Sequence, residues 1–157
     1  MKLSELLAYH GTDKAHETQL KAPLFLTTDR SGARWYAVNR GGAGVIIKGE
    51  IEGAKLLNLM NDYDDKFLEM AKKAGIKFSM KPYFYCAEIK KHSPNDGGNP
   101  NDLVYVPKMQ AALKAAGYDG IHTSDVLENE EIETIILLDT SKFKTKGHEE
   151  VSVDDED

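Results

Sequence analysis

The sequence predicts an α+β domain, on three observations. Short strand-like runs, most of them rich in β-branched or aromatic residues, recur along the chain, at 5–10, 24–28, 45–51, 82–89, 118–123 and 132–138. Between them lie three segments with apolar residues at spacings of three and four, the period of a helix with one buried face. Glycine and proline punctuate the junctions. At 157 residues the chain is the size of one domain, able to bury about 70% of its unfolded surface without metals or disulfides.

The first strand covers Glu5 to His10 and ends in Tyr9-His10-Gly11-Thr12, a mixture of aromatic ring, imidazole, glycine and hydroxyl that a core strand does not require. Pro23 opens a short strand, Leu24 to Thr28. Thr28 or Asp29 then caps a helix from about Ser31 to Val38, in which Ala33, Tyr36 and Ala37 share a face. Arg40-Gly41-Gly42-Ala43-Gly44 is a turn leading into the strand Val45 to Ile51. It lacks the Gly-Lys-Ser/Thr ending of a phosphate-binding loop, and a strand follows it, so that function is set aside. Asn61 or Asp62 caps the second helix, whose inner face is expected to hold Tyr63, Phe67, Met70, Ala71 and Ala74 and which stops at Gly75.

Pro82 to Ile89 reads as a strand, and residues 92–101, dense in Asn, Asp, Gly and Pro, as a surface loop that could act as a lid. The third helix runs from about Val106 to Ala116, Tyr118 to Thr123 is a strand, Ser124 to Glu131 an acidic loop, and Ile132 to Leu138 the last strand. The final eleven residues, 147–157, hold six acids and no Lys or Arg, which leaves 20 acids against 20 bases in residues 1–146. The expectation is a neutral domain over 1–146 and a disordered acidic tail over 147–157, serving as a solubilising end or engaging a basic partner. A neutral body argues against a nucleic-acid binder with a strongly basic surface.

The single cysteine, Cys86, excludes an internal disulfide, and with no secretory-signal pattern at the N-terminus the expected compartment is the cytoplasm. No pair among His10, His16, His92, His122 and His148 has metal-ligand spacing, so no metal is expected. No serine or cysteine triad signature occurs. A pair of carboxylates remains among Glu128, Glu130, Glu131 and Glu133.

Three segments together, Tyr9-His10-Gly11-Thr12, Leu24 to Asp29 followed by a helix carrying Tyr36, and a last strand opening with Glu131-Ile132-Glu133, resemble the ADP-ribosyltransferase superfamily. The likeness is to the His-Tyr-Glu branch that includes diphtheria toxin and the poly(ADP-ribose) polymerases, above all to small phage and bacterial members, in which Gly-Tyr-Asp-Gly-Ile, here Gly117 to Ile121, precedes the last strand. It spans about residues 5 to 144. It implies a split core of two packed antiparallel sheets with flanking helices. NAD would be the substrate and a target protein the acceptor.

The resemblance also implies roles. His10 would hydrogen-bond a ribose of NAD, Gly11 would present backbone to the carboxamide, and Thr12 would supply the hydroxyl many members carry next. Phe25 stands where the family has a tyrosine and keeps only the stacking surface; Tyr36 stacks on the other nicotinamide face; Thr27 completes the cofactor-binding set. Glu133 would be the catalytic acid beside His10, with Glu131 selecting the acceptor, as in toxins with Glu-x-Glu at this point. Counted back from Asp139, the polymerase pattern instead puts the acid one residue along, at Thr134.

Chemistry supports these roles separately. A cationic nicotinamide over an aromatic face gains roughly 0.5–2 kcal/mol beyond stacking area. A carboxylate beside the ribose stabilises the positive charge that develops as the glycosidic bond breaks. The leading expectation is a mono-ADP-ribosyltransferase acting as a phage or bacterial effector. The alternatives are a non-catalytic binding protein of the same fold and an NAD-dependent RNA phosphotransferase or other nucleic-acid modifier.

Overall fold

The computed structural model describes residues 2–13, 20–39, 41–60, 63–127 and 130–154. They form an α+β fold around one six-stranded mixed sheet: β1 (Lys2–Thr12), β2 (Leu24–Thr27), β3 (Ala43–Asn58), β4 (Gly120–Leu127), β5 (Glu130–Leu137) and β6 (Phe143–Ser152). The helices are α1 (Arg30–Val38), α2 (Tyr63–Lys73), α3 (Ala87–His92) and α4 (Pro107–Ala115), with 3-10 turns at Pro100–Tyr105 and Thr140–Lys142.

The strand order is β1-β2-β5-β4-β3-β6, and β1 also pairs with β3, so the first five strands close on themselves and β6 lies against the far side of β3. The strands make one continuous hydrogen-bonded sheet, not two antiparallel ones. The cause is the length of β3. Its first part pairs antiparallel with β1 and β6, while its last three residues, Leu56 to Asn58, run parallel to Gly120 to His122 of β4 and join the two halves.

Alternation along the strands sorts the core into an inside and an outside. Inside lie Ala8, Leu24, Leu26, Ile47, Ile51, Ile135, Leu137 and Phe143. Outside, α2, α3 and α4 cover Leu57, Ile121 and Ile136 with Phe67, Ala71, Ile89, Met109 and Leu113. On the other flank α1 packs Ala33 and Ala37 on Ile46 and Val151. That helix sits unusually close to the sheet: a Cβ on Gly11 would lie 1.8 Å from the Ala33 carbonyl oxygen, and one on Gly44 2.1 Å from that of Ala37. Two glycines at neighbouring strand ends thus make the seat for α1.

Asp29 caps α1 by accepting from the Ser31 amide, as its position suggests, and Gly75 closes α2 at φ +82°. The expected cap at Asn61 or Asp62 lies outside the described residues. Three expectations need correction. First, residues 82–89 form no strand: after a single bridge between Ser79 and Tyr85 the chain turns into α3. Glu88 in its first turn, Lys90, Lys91 and His92 in its last, and a fully buried Ile89 favour that helix. Second, the acidic stretch 124–131 is largely strand, because Ser124 to Leu127 pair in register with Glu133 to Glu130; residues 128 and 129 lie outside the described set.

Third, residues 147–152 are not a disordered tail. They form the second half of β6, pairing Lys48 to Ala43 of β3, with Val151 5% exposed, Glu149 ion-paired to Arg30 at 2.9 Å and the Ser152 carbonyl accepting from Arg34. Only one side chain in two needs to be apolar on a strand that covers one face, so an acidic composition hides it. Among the described residues no helix is long and apolar enough to cross a membrane.

Candidate functional site

Beyond their single paired position, Tyr9 opposite Thr27, strands β1 and β2 splay apart. His10 spans the gap, its Nδ1 2.8 Å from the Phe25 carbonyl oxygen. A carbonyl only accepts, so Nδ1 carries the proton and Nε2 is left with a lone pair. Burial lowers the imidazole pKa from its ordinary value, the Phe25 hydrogen bond opposing in part, so His10 is a neutral acceptor at pH 7.

At this split lies a cavity of about 780 Å³, within the range of small-molecule sites. Its rim on the β1 and β2 side is His10, Gly11, Thr12 and Phe25; α1 contributes Trp35 and Tyr36, and the segment 94–105 closes the far wall. The Phe25 ring stacks on Tyr105 with centroids 5.8 Å apart and 24° between planes, and Tyr36 meets Trp35 edge to face. Among the described residues four carboxylates line it, from Asp13, Asp96, Asp102 and Asp125, and no Lys or Arg does.

Two of these acids are built in. Asp102 is buried and accepts from Asn95 Nδ2 at 2.9 Å. Its 3-10 turn is tied to β4 through Asn101, whose Nδ2 donates to the Ser124 carbonyl while its Oδ1 accepts from Thr123. Desolvation, aided by the neighbouring Asp125 and Asp96 charges and opposed by Asn95, raises the Asp102 pKa to about 6. Asp125 reaches the cavity from β4, with the Tyr36 hydroxyl 3.4 Å and Asn99 Nδ2 3.5 Å away. Burial and the Asp125 carboxylate hold the Tyr36 phenol well above its usual pKa, so it stays a donor at neutral pH.

Of the residues singled out in the sequence, His10, Gly11, Thr12, Phe25 and Tyr36 come together at the cavity. Glu133, Glu131 and Thr27 do not line it. Directly paired residues on adjacent strands share a face. Phe25 opposes Ile136, which opposes Ile121; one step along come Thr27, Thr134 and Thr123, and another step along Ile132 faces Asp125. Glu133 has the opposite parity, beside Ile135 and Leu137, and its carboxylate lies 3.5 Å from His122 Nε2. Thr134 has the right parity but is a buried hydroxyl donating to the Ile132 carbonyl. Glu131 shares the parity of Glu133 and is exposed. Thr27 is buried, its Oγ1 accepting from the Asp29 amide just before α1.

The cavity carboxylates Asp102 and Asp125, and Tyr105, were not singled out in the sequence. The alternation Ile121, Thr123, Asp125 carried the signal for one of them: an acid continuing the buried face of a strand past its apolar part. Among the described residues no group of three or more His, Cys, Asp or Glu is placed to hold a metal ion. Comparison with known proteins finds no matching family model, no matching curated protein and no matching solved structure.

Proposed function

We propose that the cavity binds NAD and that the chain is a mono-ADP-ribosyltransferase, moving ADP-ribose to a target protein and releasing nicotinamide inside a cell, as a phage or bacterial effector. The observation that carries this reading is the convergence of His10, Gly11, Thr12, Phe25 and Tyr36, distant in sequence, on one cavity at the split of the sheet. In this reading the β1 and β2 seam, paired only at Tyr9 and Thr27, serves as the opening that the superfamily makes between its two sheets.

The nicotinamide ring lies against Phe25 and Tyr36, and His10 Nε2 accepts from a ribose hydroxyl. As the bond from C1′ to the ring nitrogen breaks, its electron pair neutralises the ring and positive charge moves to the ribose. Asp125 takes the part expected of Glu133: its carboxylate stabilises that charge and receives the proton that the acceptor nucleophile loses as it bonds to C1′.

The test is NAD titration by calorimetry together with chromatographic measurement of nicotinamide release. His10→Ala and Tyr36→Ala weaken binding. Asp125→Asn leaves binding within a few-fold and slows release by about 10²–10³, the usual cost of one electrostatic stabiliser, while Glu133→Gln stays near wild type. Absence of NAD binding at millimolar concentration ends the proposal. A second reading, a binding protein without turnover, is favoured by one observation: neither Glu133 nor Thr134 brings a carboxylate to the cavity. NAD binding without nicotinamide release by the wild-type chain selects it.

A further inference from the structure

A surface outside the cavity has a composition unlike the rest of the chain. Residues 72–92 hold six lysines, at 72, 73, 77, 81, 90 and 91, against the single acid Glu88, although the protein has 26 acids and 20 bases in all. All six are exposed. Lys73 pairs with Glu69 and Lys91 with Glu88, whereas no ion pair engages Lys72, Lys77, Lys81 or Lys90 among the described residues. Averaging over the chain conceals this local positive charge.

At its centre is a tight turn, residues 79–85, closed by two backbone hydrogen bonds between Ser79 and Tyr85 of 2.8 and 2.9 Å. Side chains alternate along its return arm. Phe84 points inward, 8% exposed and packed on Phe78, while Tyr83 and Tyr85 point outward at 69% and 39%, beside Met80 at 50%. The inward ring anchors the turn; the outward rings are held in water. The turn also backs onto the cavity wall, since the Cys86 amide donates to the Gly97 carbonyl, next to Asp96 of the lining.

We propose that this turn and its flanking lysines bind a single-stranded nucleic acid, with Tyr83 and Tyr85 stacking on bases and Lys77, Lys81 and Lys90 meeting phosphates. Exposed aromatic faces beside compact cations are the elements of such sites. A protein partner is a poorer fit, because lysine is depleted in protein interfaces and the patch has none of the arginine that anchors them. The surface does not depend on the reaction assigned to the cavity. Its position beside the cavity places a bound strand near that opening.

The experiment is fluorescence anisotropy of labelled oligouridine and oligothymidine 20-mers with the full chain. At 50 mM salt both bind. With these three phosphate contacts, affinity falls about 20-fold on raising salt to 200 mM, from the single-strand slope of roughly 0.7 per contact. Tyr83→Ala weakens binding about tenfold or more and Tyr83→Phe restores it, because the ring and not the hydroxyl stacks. Lys77→Glu with Lys81→Glu lowers both affinity and salt slope, while Lys144→Glu on β6 does not. Circular dichroism establishes that each variant is folded. His10→Ala binds the oligonucleotides like wild type, so failure here and failure of the NAD reading are separable. No binding at 50 mM salt, or equal binding by the double charge reversal, overturns the proposal. Tight binding of polyglutamate that Tyr83→Ala leaves unchanged assigns the patch to acidic proteins and also overturns it.

Discussion

Gly11→Ala tests how the fold and the site are joined. A Cβ at this position would stand 1.8 Å from the Ala33 carbonyl oxygen, 2.8 Å from its carbon and 3.0 Å from the Ala37 nitrogen. Contacts below 3.0 Å essentially never occur for a Cβ, so α1 or the end of β1 must move by about 1.2 Å or more. The obstacle is backbone inside a helix, which has no rotamer to change. Retreat of α1 loosens Ala33 and Ala37 from Ile46 and Val151. Overpacking of this kind costs about 1–3 kcal/mol, and a backbone obstacle puts it at the upper end. For a domain of this size that lowers Tm by about 6–12 °C.

Urea and thermal denaturation followed by circular dichroism measure the loss, with Gly147→Ala as control, since nothing lies within 4 Å of a Cβ there. Gly44→Ala, 2.1 Å from the Ala37 oxygen and 2.5 Å from that of Thr12, is also destabilising. The double variant loses less than the two singles together, because one retreat of α1 relieves part of both clashes. Trp35 and Tyr36 ride on α1, so Gly11→Ala also weakens NAD binding in the proposed site. A Gly11→Ala protein within 0.5 kcal/mol of wild type, an outcome set roughly at the level of neutral surface changes, refutes the close seating of α1.

Two further predictions concern stability. The Asp102 pKa is raised from 3.8 to about 6 in the folded chain. Folded protein therefore holds that proton more tightly than unfolded, its contribution is present below about pH 4, and it is lost as pH rises through about 6. Asp102→Asn removes this loss and keeps an acceptor for Asn95. It is more stable than wild type at pH 7 by about 1–2 kcal/mol, after discounting for solvent near the cavity mouth, and the gain shrinks at pH 4.5; equal gains at both pH values refute it. Ending the chain at Lys146 removes half of β6 and its pairing with β3, so it lowers Tm, and Val151→Ala alone costs about 1–2 kcal/mol; an unchanged Tm for the truncated chain contradicts the strand.

Helix α1 with its Asp29 cap, α2 ending at Gly75, α4 and the cores of β1, β2, β4 and β5 were legible because each rests on local period, cap or punctuation. Strand β6 and the outer ends of β4 and β5 were not. The acids of β6 are exposed and Asp125 of β4 faces the cavity, so neither reads as strand locally; what makes these segments strand is pairing with distant ones, Glu150 opposite Val45 and Asp125 opposite Ile132. Residues 82–89 misled for the converse reason: aromatic residues raised strand propensity there, while among the described residues their pairing stops at the isolated bridge of Tyr85 with Ser79.

The same logic explains the site. His10, Gly11, Thr12, Phe25 and Tyr36 could be chosen through the family resemblance, which rests on the order of three segments whose strands and helix local sequence defines. Choosing the acid required parity on β5, and parity follows from register with β2 and β4. Phe25 paired to Ile136 puts even-numbered residues of β5 on the face of Phe25, where Thr134 offers only a hydroxyl, while Glu133 stands on the opposite face beside His122 and outside the cavity lining. The register of β4 on β5 then turns Ile121, Thr123 and Asp125 to the face of Phe25. A carboxylate therefore reaches the cavity from the neighbouring strand, and the proposed reaction assigns the developing charge to it. Asp125→Asn and Glu133→Gln, measured side by side, decide between the two strands.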